Sequence, residues 1–298
     1  MKFSIVTPSF NQARYIGRTL ESVTSQAGVA LEHVVRDGGS TDGTVALLEA
    51  FRPAVRWVSG PDGGQADAVN AGIAATDGEI IGWLNSDDVY FPGALERVAR
   101  RFAEDEGIDV IYGRADHIDA NDRVISPYPT RPWDPAKLRT DCYLCQPAVF
   151  FRRRVVERFG PLDASLRYCM DYEFWLRLAE GGARFDHLAE RLAGSRLHEE
   201  TKTLGSRLPV HAEINDMLRR RLGRVPARWL VHYAHASVQE GEGHVGKLAV
   251  LAEAIRASRR WNGGLPGPEF WREVLPFKSI PPPPGEGRAF PSTPAGRQ

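Results

Sequence analysis

The chain of 298 residues is 42% hydrophobic and 26% charged, an ordinary globular composition that allows one large domain and an appendage. Lys and Arg number 38, as do Asp and Glu, and the isoelectric point is near 7.1. That balance leaves no global basic field to gather nucleic acid, which is therefore excluded as an expected partner.

Met1-Lys2-Phe3-Ser4-Ile5-Val6 turns polar too soon for a signal peptide, and no apolar run approaches the roughly 18 residues that span a bilayer, so a cytoplasmic protein is expected. Phe3 to Val6 reads as a buried strand, broken into a loop by Thr7-Pro8-Ser9-Phe10-Asn11. Tyr15, Ile16, Leu20 and Val23 then recur at helical spacing. Leu31 to Arg36 is a second strand, ending at Asp37-Gly38-Gly39-Ser40-Thr41-Asp42-Gly43-Thr44, an octet rich in turn formers that present backbone N–H groups. A helix through Val45 and Phe51 follows, then a strand at Val55 to Val58, the loop Pro61 to Gln65, and a helix carrying Ala68, Val69, Ala71 and Ile73. Ile80-Ile81-Gly82-Trp83-Leu84 is the fourth strand, and Asn85-Ser86-Asp87-Asp88 lies at its C-terminal end.

Strands alternating with short helices predict a Rossmann-like, mostly parallel sheet covered by helices. Right-handed crossovers then gather the four polar strand-end loops, Thr7/Ser9, Asp37/Asp42, Asp62/Asp67 and Asp87/Asp88, along one sheet edge, where open α/β sheets bind ligands. Adjacent carboxylates there suggest a divalent metal, because Mg2+ and Mn2+ take oxygen ligands and leave room for substrate phosphates. The plainer reading is a solvated acidic turn capping the helix that begins near Pro92.

Further along, Ala94 to Glu104 reads as a helix, Val110-Ile111-Tyr112 as a strand, and Pro127 to Pro135 as a proline-broken crossing. Cys142-x-x-Cys145, with only Cys169 besides, is weak support for zinc or redox chemistry, and a structural role is expected of the three thiols. Gln146-Pro147-Ala148-Val149-Phe150-Phe151 returns to the sheet, and a helix over Arg152 to Phe159 follows. Asp171 opens the next helix, where the N-terminal dipole favours its ionised form. From Lys202 onward, 15 Lys and Arg stand against 8 Asp and Glu. The plainer reading of this segment is a helical bundle with a solvated basic face; the sharper one, prompted by Trp229, Tyr233 and Trp261, is a surface that lies on anionic lipid. Expected boundaries are a sheet domain over 1–204, a helical extension over 205–275 and a disordered proline-rich tail over 276–298.

Ser4-Ile5-Val6-Thr7-Pro8-Ser9-Phe10-Asn11, Asp37 to Thr44, Asp67-Ala68-Val69-Asn70-Ala71-Gly72 and Trp83-Leu84-Asn85-Ser86-Asp87-Asp88 resemble the family 2 glycosyltransferases with the GT-A fold. Gln146 to Phe151 and Met170-Asp171-Tyr172-Glu173-Phe174-Trp175 are similar to that family's acceptor-side half. The resemblance runs from residue 2 to about 200 and is closest to the bacterial branch that extends O-antigen or exopolysaccharide repeats on lipid-linked sugars. It implies an inverting, metal-dependent transfer from a nucleotide-sugar donor, a UDP-sugar, to a saccharide or lipid-linked saccharide acceptor.

It also implies roles for individual residues. Thr7 and Ser9 line the base pocket, Asp37 takes the uracil N3–H, Asn85 lies near the ribose, and Asn11, Asp67 and Asn70 complete the donor site. Asp87 binds a Mn2+ or Mg2+ that bridges the diphosphate, Asp88 supports it, His198 joins the same ligand set, and Asp171 is the general base. One departure stands out: the first position of the family's Asp-x-Asp signature is Asn85, an amide that adds no charge. Two rival readings remain. A nucleotidyltransferase would carry a Gly-rich, Lys-containing loop after its first strand, which Thr7-Pro8-Ser9-Phe10-Asn11 is not; Asn85 is the best argument for a non-catalytic scaffold of a polysaccharide assembly complex.

Overall fold

The computed structural model describes residues 1–198, 206–242, 246–268 and 270–271, so the proline-rich tail lies outside the described residues. The elements run β1 (Lys2–Ser9), α1 (Ile16–Thr24), β2 (Ala30–Asp37), α2 (Thr44–Ala50), β3 (Arg56–Ser59), α3 (Gln65–Ala74), β4 (Ile80–Trp83), β5 (Val89–Tyr90) and α4 (Ala94–Glu104). They continue with β6 (Val110–Ile118), β7 (Val124–Pro127), the one-turn α5 (Pro135–Leu138), a 3-10 turn (Gln146–Ala148), β8 (Val149–Arg152), α6 (Arg153–Phe159), α7 (Met170–Glu180) and β9 (Phe185–Arg196). Three longer helices close the described chain: α8 (Arg207–Leu222), α9 (Ala227–Glu242) and α10 (Lys247–Asn262).

One sheet is ordered β3-β2-β1-β4-β8-β6-β9-β5, with β7 paired to β6. β1 to β4 pair in parallel, β8 is antiparallel to both β4 and β6, and β9 is parallel to β6. β6 and β9 therefore point the same way as β1 to β4. The C-terminal ends of all six strands fall on one edge, and register sets Ser9 beside Asp37 and Asp37 beside Ser59.

The short β5 and the long β9 do not show in the sequence pattern. β5 has two residues, and β9 breaks its alternation where the register against β6 shifts between Gly113 and Ala115.

Two apolar layers flank the sheet. Phe3, Ile5, Leu95, Phe102, Ile111 and Phe150 fill one, and Val6, Trp83, Tyr112, Phe151, Phe174 and Trp175 fill the other. The second layer also takes in Ile214, Met217, Leu218, Trp229 and Trp261 from the C-terminal helices. Trp229 and Trp261 are thus core residues, and Tyr233 packs edge-on against Trp261 with centroids 4.7 Å apart. The expectation that these aromatics face lipid is corrected: Trp229 packs on Tyr172 of α7, and Trp261 packs on Tyr233 and donates to Asp216 of α8. Among the described residues no helix is long and apolar enough to cross a membrane.

Gly72 explains one small residue of the Asp67–Gly72 run. A Cβ there would lie 2.3 Å from Val6 Cγ1, so α3 sits flush on β1 only without it. Gly72→Ala, which helix propensity alone would favour by about 1 kcal/mol, is expected instead to cost about 1–3 kcal/mol in a denaturant titration.

Candidate active site

The loops after β1 and β2 are fastened to each other by side chains that would otherwise be donor contacts. Asp37, buried at 3% exposure, accepts from Gly39 N (3.2 Å), Ser40 N (2.9 Å) and the hydroxyls of Ser40 and Ser59 (2.5 and 2.6 Å). Three of these bonds fall on Oδ2 and one on Oδ1, so Oδ1 keeps an acceptor position for a further donor. Asn11 holds a left-handed φ of 52° and accepts from Thr41 N at 2.9 Å, while Ser40 Oγ accepts from Asn11 N at 2.7 Å. Phe10, beside them, is 60% exposed, and its ring edge lies 3.4 Å from where a Cβ on Gly38 would stand.

Two assignments implied by the resemblance, Thr7 and Asn70, change. Thr7 is fully buried with its hydroxyl 3.0 Å from His33 Nε2, so it shapes the floor of the edge from inside the sheet and does not line a pocket. Asn70 donates to Leu162 O and accepts from Leu162 N, both at 2.9 Å, bracing α3 against the segment after α6. Asp67 accepts from Gly63 N at 3.0 Å and fixes the turn that opens α3. Ser9 differs from these: its hydroxyl is buried without a hydrogen-bond partner among the described residues, which suits a ligand group.

After β4 the two adjacent carboxylates separate. Asp87 Oδ2 faces His198 Nε2 at 3.0 Å, joining the end of β4 to the end of β9. Asp88 turns inward to 4% exposure, accepting from Arg196 N at 2.9 Å and from Asn85 Nδ2 at 3.3 Å. Burial first, and then the charge of Asp87, push its carboxyl well above the usual range. Asp88 is therefore corrected from metal ligand to internal support.

The Arg196 side chain is fully buried. It donates to Asp87 O and Asp119 O, both at 2.6 Å, pairs with Asp122, and lies over the Tyr15 ring at 5.1 Å. His198 also meets this group, its ring centroid 4.7 Å from that of Tyr15.

Among the described residues no group of three or more His, Cys, Asp or Glu is arranged to hold a metal ion. The residues present still fit a hard cation: one carboxylate and one imidazole face each other, and Mg2+ usually takes one or two carboxylates and completes its shell with phosphate and water.

Asn85 engages its whole amide. Oδ1 accepts from Gln65 Nε2 (2.8 Å) and Trp83 Nε1 (2.9 Å), and Nδ2 donates to Asp88 Oδ2 (3.3 Å) and Gln146 Oε1 (2.9 Å). Gln146 in turn donates to Trp83 O at 2.5 Å.

Asp171 stands in the first turn of α7, with Oδ1 accepting from Tyr172 N at 2.7 Å. Glu213 of α8 fixes the approach to that turn, taking Arg167 N, Tyr168 N (both 2.8 Å) and Cys169 N (2.9 Å). Burial pushes the Cys145 thiol up, and the charges of Asp88, Asp171 and Asp116 add to that, so Cys145 lies within electrostatic reach of both the β4 turn and α7. Cys142 and Cys169 are pushed up as well, burial again first, and none of the three is a reactive thiolate. Gln65, Gln146, Arg196, Tyr15 and Glu213 were not singled out from the sequence for this site. Only Gln146, in the Gln146–Phe151 run, carried any local signal.

The family model for glycosyl transferase family 2 matches residues 4–160, more than half of the chain, and the protein belongs to that family. Its fold is GT-A.

The chain is 29% identical over 225 residues to a chondroitin synthase of Escherichia coli, covering 73% of this chain and 32% of that protein. It spans about half of another relative, an uncharacterized glycosyltransferase of Nostoc sp., at 31% identity over 55% of this chain and 54% of that protein. Staphylococcus aureus TarS, solved with UDP-GlcNAc, superposes with a TM-score of 0.64 at 18% identity over 89% of this chain and 82% of that one. A mannosyltransferase of Pyrobaculum calidifontis, solved with GDP-Man and Mn2+, gives a TM-score of 0.59 at 17% identity over 92% and 78%. At such identities the two structures carry the fold alone.

His33 supplies a test of the floor. Burial lowers its pKa to about 3, so it stays neutral where a free imidazole would titrate near 6.5. A depressed histidine contributes stability that is present above about pH 6.5 and is lost on acidification. The unfolding free energy is expected to fall between pH 6.5 and 5, and His33→Gln should flatten that slope while lowering stability at pH 7.5, both read by urea titration.

Proposed function

We propose that the protein is an inverting, metal-dependent glycosyltransferase that moves a sugar from a UDP-sugar to a hydroxyl of a saccharide acceptor. The observation that carries this reading is the Asp87–His198 pair at 3.0 Å on the carboxyl edge of the sheet, with Asp171 in the first turn of α7 as the candidate base.

Asp87 and His198 would hold the cation, which supplies charge to offset the diphosphate as it leaves. Ser9 Oγ and the hydroxyls on Asp37 offer the base its hydrogen bonds, and exposed Phe10 offers a ring face for it to stack on. Asp171 takes the proton of the acceptor hydroxyl, which makes that oxygen nucleophilic at the face of the sugar opposite the departing diphosphate; displacement there inverts the anomeric centre. TarS in complex with UDP-GlcNAc and the mannosyltransferase with Mn2+ support a nucleotide-sugar and a divalent cation for this fold. The chondroitin synthase relative supports a polysaccharide acceptor, and we extend the reading to a lipid-linked one in cell-surface polysaccharide synthesis.

Slow UDP release from UDP-glucose, UDP-galactose or their N-acetyl forms, stimulated by Mn2+, is the expected activity; absence of any nucleotide binding would favour the scaffold instead. Asp171→Asn should lower transfer by about 10²- to 10⁴-fold with UDP affinity nearly unchanged in calorimetry, and an equal loss of affinity would sink its role as base. Asp87→Asn should remove the Mn2+ stimulation.

Membrane contact rests on the basic surplus of the C-terminal helices and on Leu248, 82% exposed in the first turn of α10. Anionic vesicles should co-sediment more protein than neutral ones, and equal recovery would count against this peripheral placement.

A further inference from the structure

We propose that Asn85 is a positioning residue: its amide closes a hydrogen-bonded ring with Trp83 and Gln146 that holds the Asp87–Asp88 turn, in place of contacting the ribose of a donor. The ring has a single allowed polarity. An indole N–H only donates, so Trp83 Nε1 at 2.9 Å fixes Oδ1 as the amide atom on that side. A backbone carbonyl only accepts, so Trp83 O at 2.5 Å fixes Nε2 as the Gln146 atom on its side. Gln146 Oε1 must then face Asn85 Nδ2, as it does at 2.9 Å. Both ends of the ring belong to one tryptophan, and neither amide can be turned round without setting two donors or two acceptors together.

The capacity left over is also filled. The second lone pair of Oδ1 takes Gln65 Nε2 at 2.8 Å, and the second hydrogen of Nδ2 goes to Asp88 Oδ2 at 3.3 Å. One side chain thereby joins the start of α3, the end of β4, the metal turn and the 3-10 turn that leads into β8.

The acid that the Asp-x-Asp signature would place here is the residue the ring excludes. An aspartate can still accept from Trp83 and Gln65, but it has no hydrogen for Gln146 or for Asp88. It would orphan Gln146 Oε1 in a side chain only 9% exposed and set a further carboxylate against Asp87 and Asp88. Asn85 is therefore the residue that lets two adjacent aspartates keep separate orientations.

The binding arm of the test rests on the donor reading above. With UDP and Mn2+, Asn85→Asp and Gln146→Leu are each expected to weaken affinity about 10- to 100-fold, and to raise the KM for the UDP-sugar while kcat stays within about threefold. Because either change opens the same ring, the double variant should lie within about threefold of the worse single. A ribose contact predicts otherwise: an aspartate there would bind UDP as tightly as the amide or more so, Gln146→Leu would be silent, and either result overturns the proposal. Should Asn85→Asp not fold, unchanged UDP affinity in Gln146→Leu overturns it alone. If the wild type binds no UDP, the donor reading fails and thermal midpoints of the ligand-free proteins decide the ring. Non-additive losses support it and additive ones overturn it.

Discussion

Burying the Asp88 carboxyl next to Asp87 is costly, and residues from several elements are committed to making it tolerable. Arg196 supplies a backbone N–H to Asp88 and a guanidinium to Asp87 O, Asn85 supplies an amide hydrogen, and Thr19 Oγ1 donates to Asp88 O at 2.8 Å. Arg196 is itself a buried cation, and its cost is met by Asp122, Asp119 O and the Tyr15 ring. With Asp88 held inward, Asp87 is left to turn toward His198. The turn after β4 is thus a device that makes two neighbouring carboxylates unlike.

The donor-side loops obey a related logic. Asp37, Asn11 and Asp42 satisfy their own loops, and Asp42 ties them together by accepting from Ala13 N at 2.9 Å and from Thr44 Oγ1 at 2.6 Å. A polar edge built this way is stiff before any ligand arrives, which lowers the ordering cost of binding. Among the described residues the Ser9 hydroxyl has no hydrogen-bond partner, and it and the exposed Phe10 ring are the groups that the proposal gives to a nucleotide.

On the opposite side, the C-terminal helices belong to the site's frame. Glu213 of α8 caps the chain just before Asp171, Arg221 pairs with Glu180 at 2.7 Å and also with Glu173, and Trp229 of α9 packs on Tyr172 at 5.4 Å. The position of α7, and with it Asp171, depends on residues about 40 to 60 places downstream that carry no catalytic signal of their own. Basic character, which suggested a lipid-facing surface, serves in part to bind the acidic flank of α7.

The sequence alone determined the strand–helix order from β1 to β4, their parallel run, and the convergence of their polar loops on one edge. Those features are local: apolar runs, turn residues and helix starts are written within about ten neighbouring positions. Tertiary structure decided how each polar side chain is used, because a hydrogen-bond partner is set by contacts between residues far apart in the chain. Thr7 and Asn70 carry the family's residue types yet face His33 and Leu162, 26 and 92 positions away. Asn85 looked like a weakened acid until Gln146, 61 residues on, gave it a hydrogen-bond polarity that only an amide can satisfy.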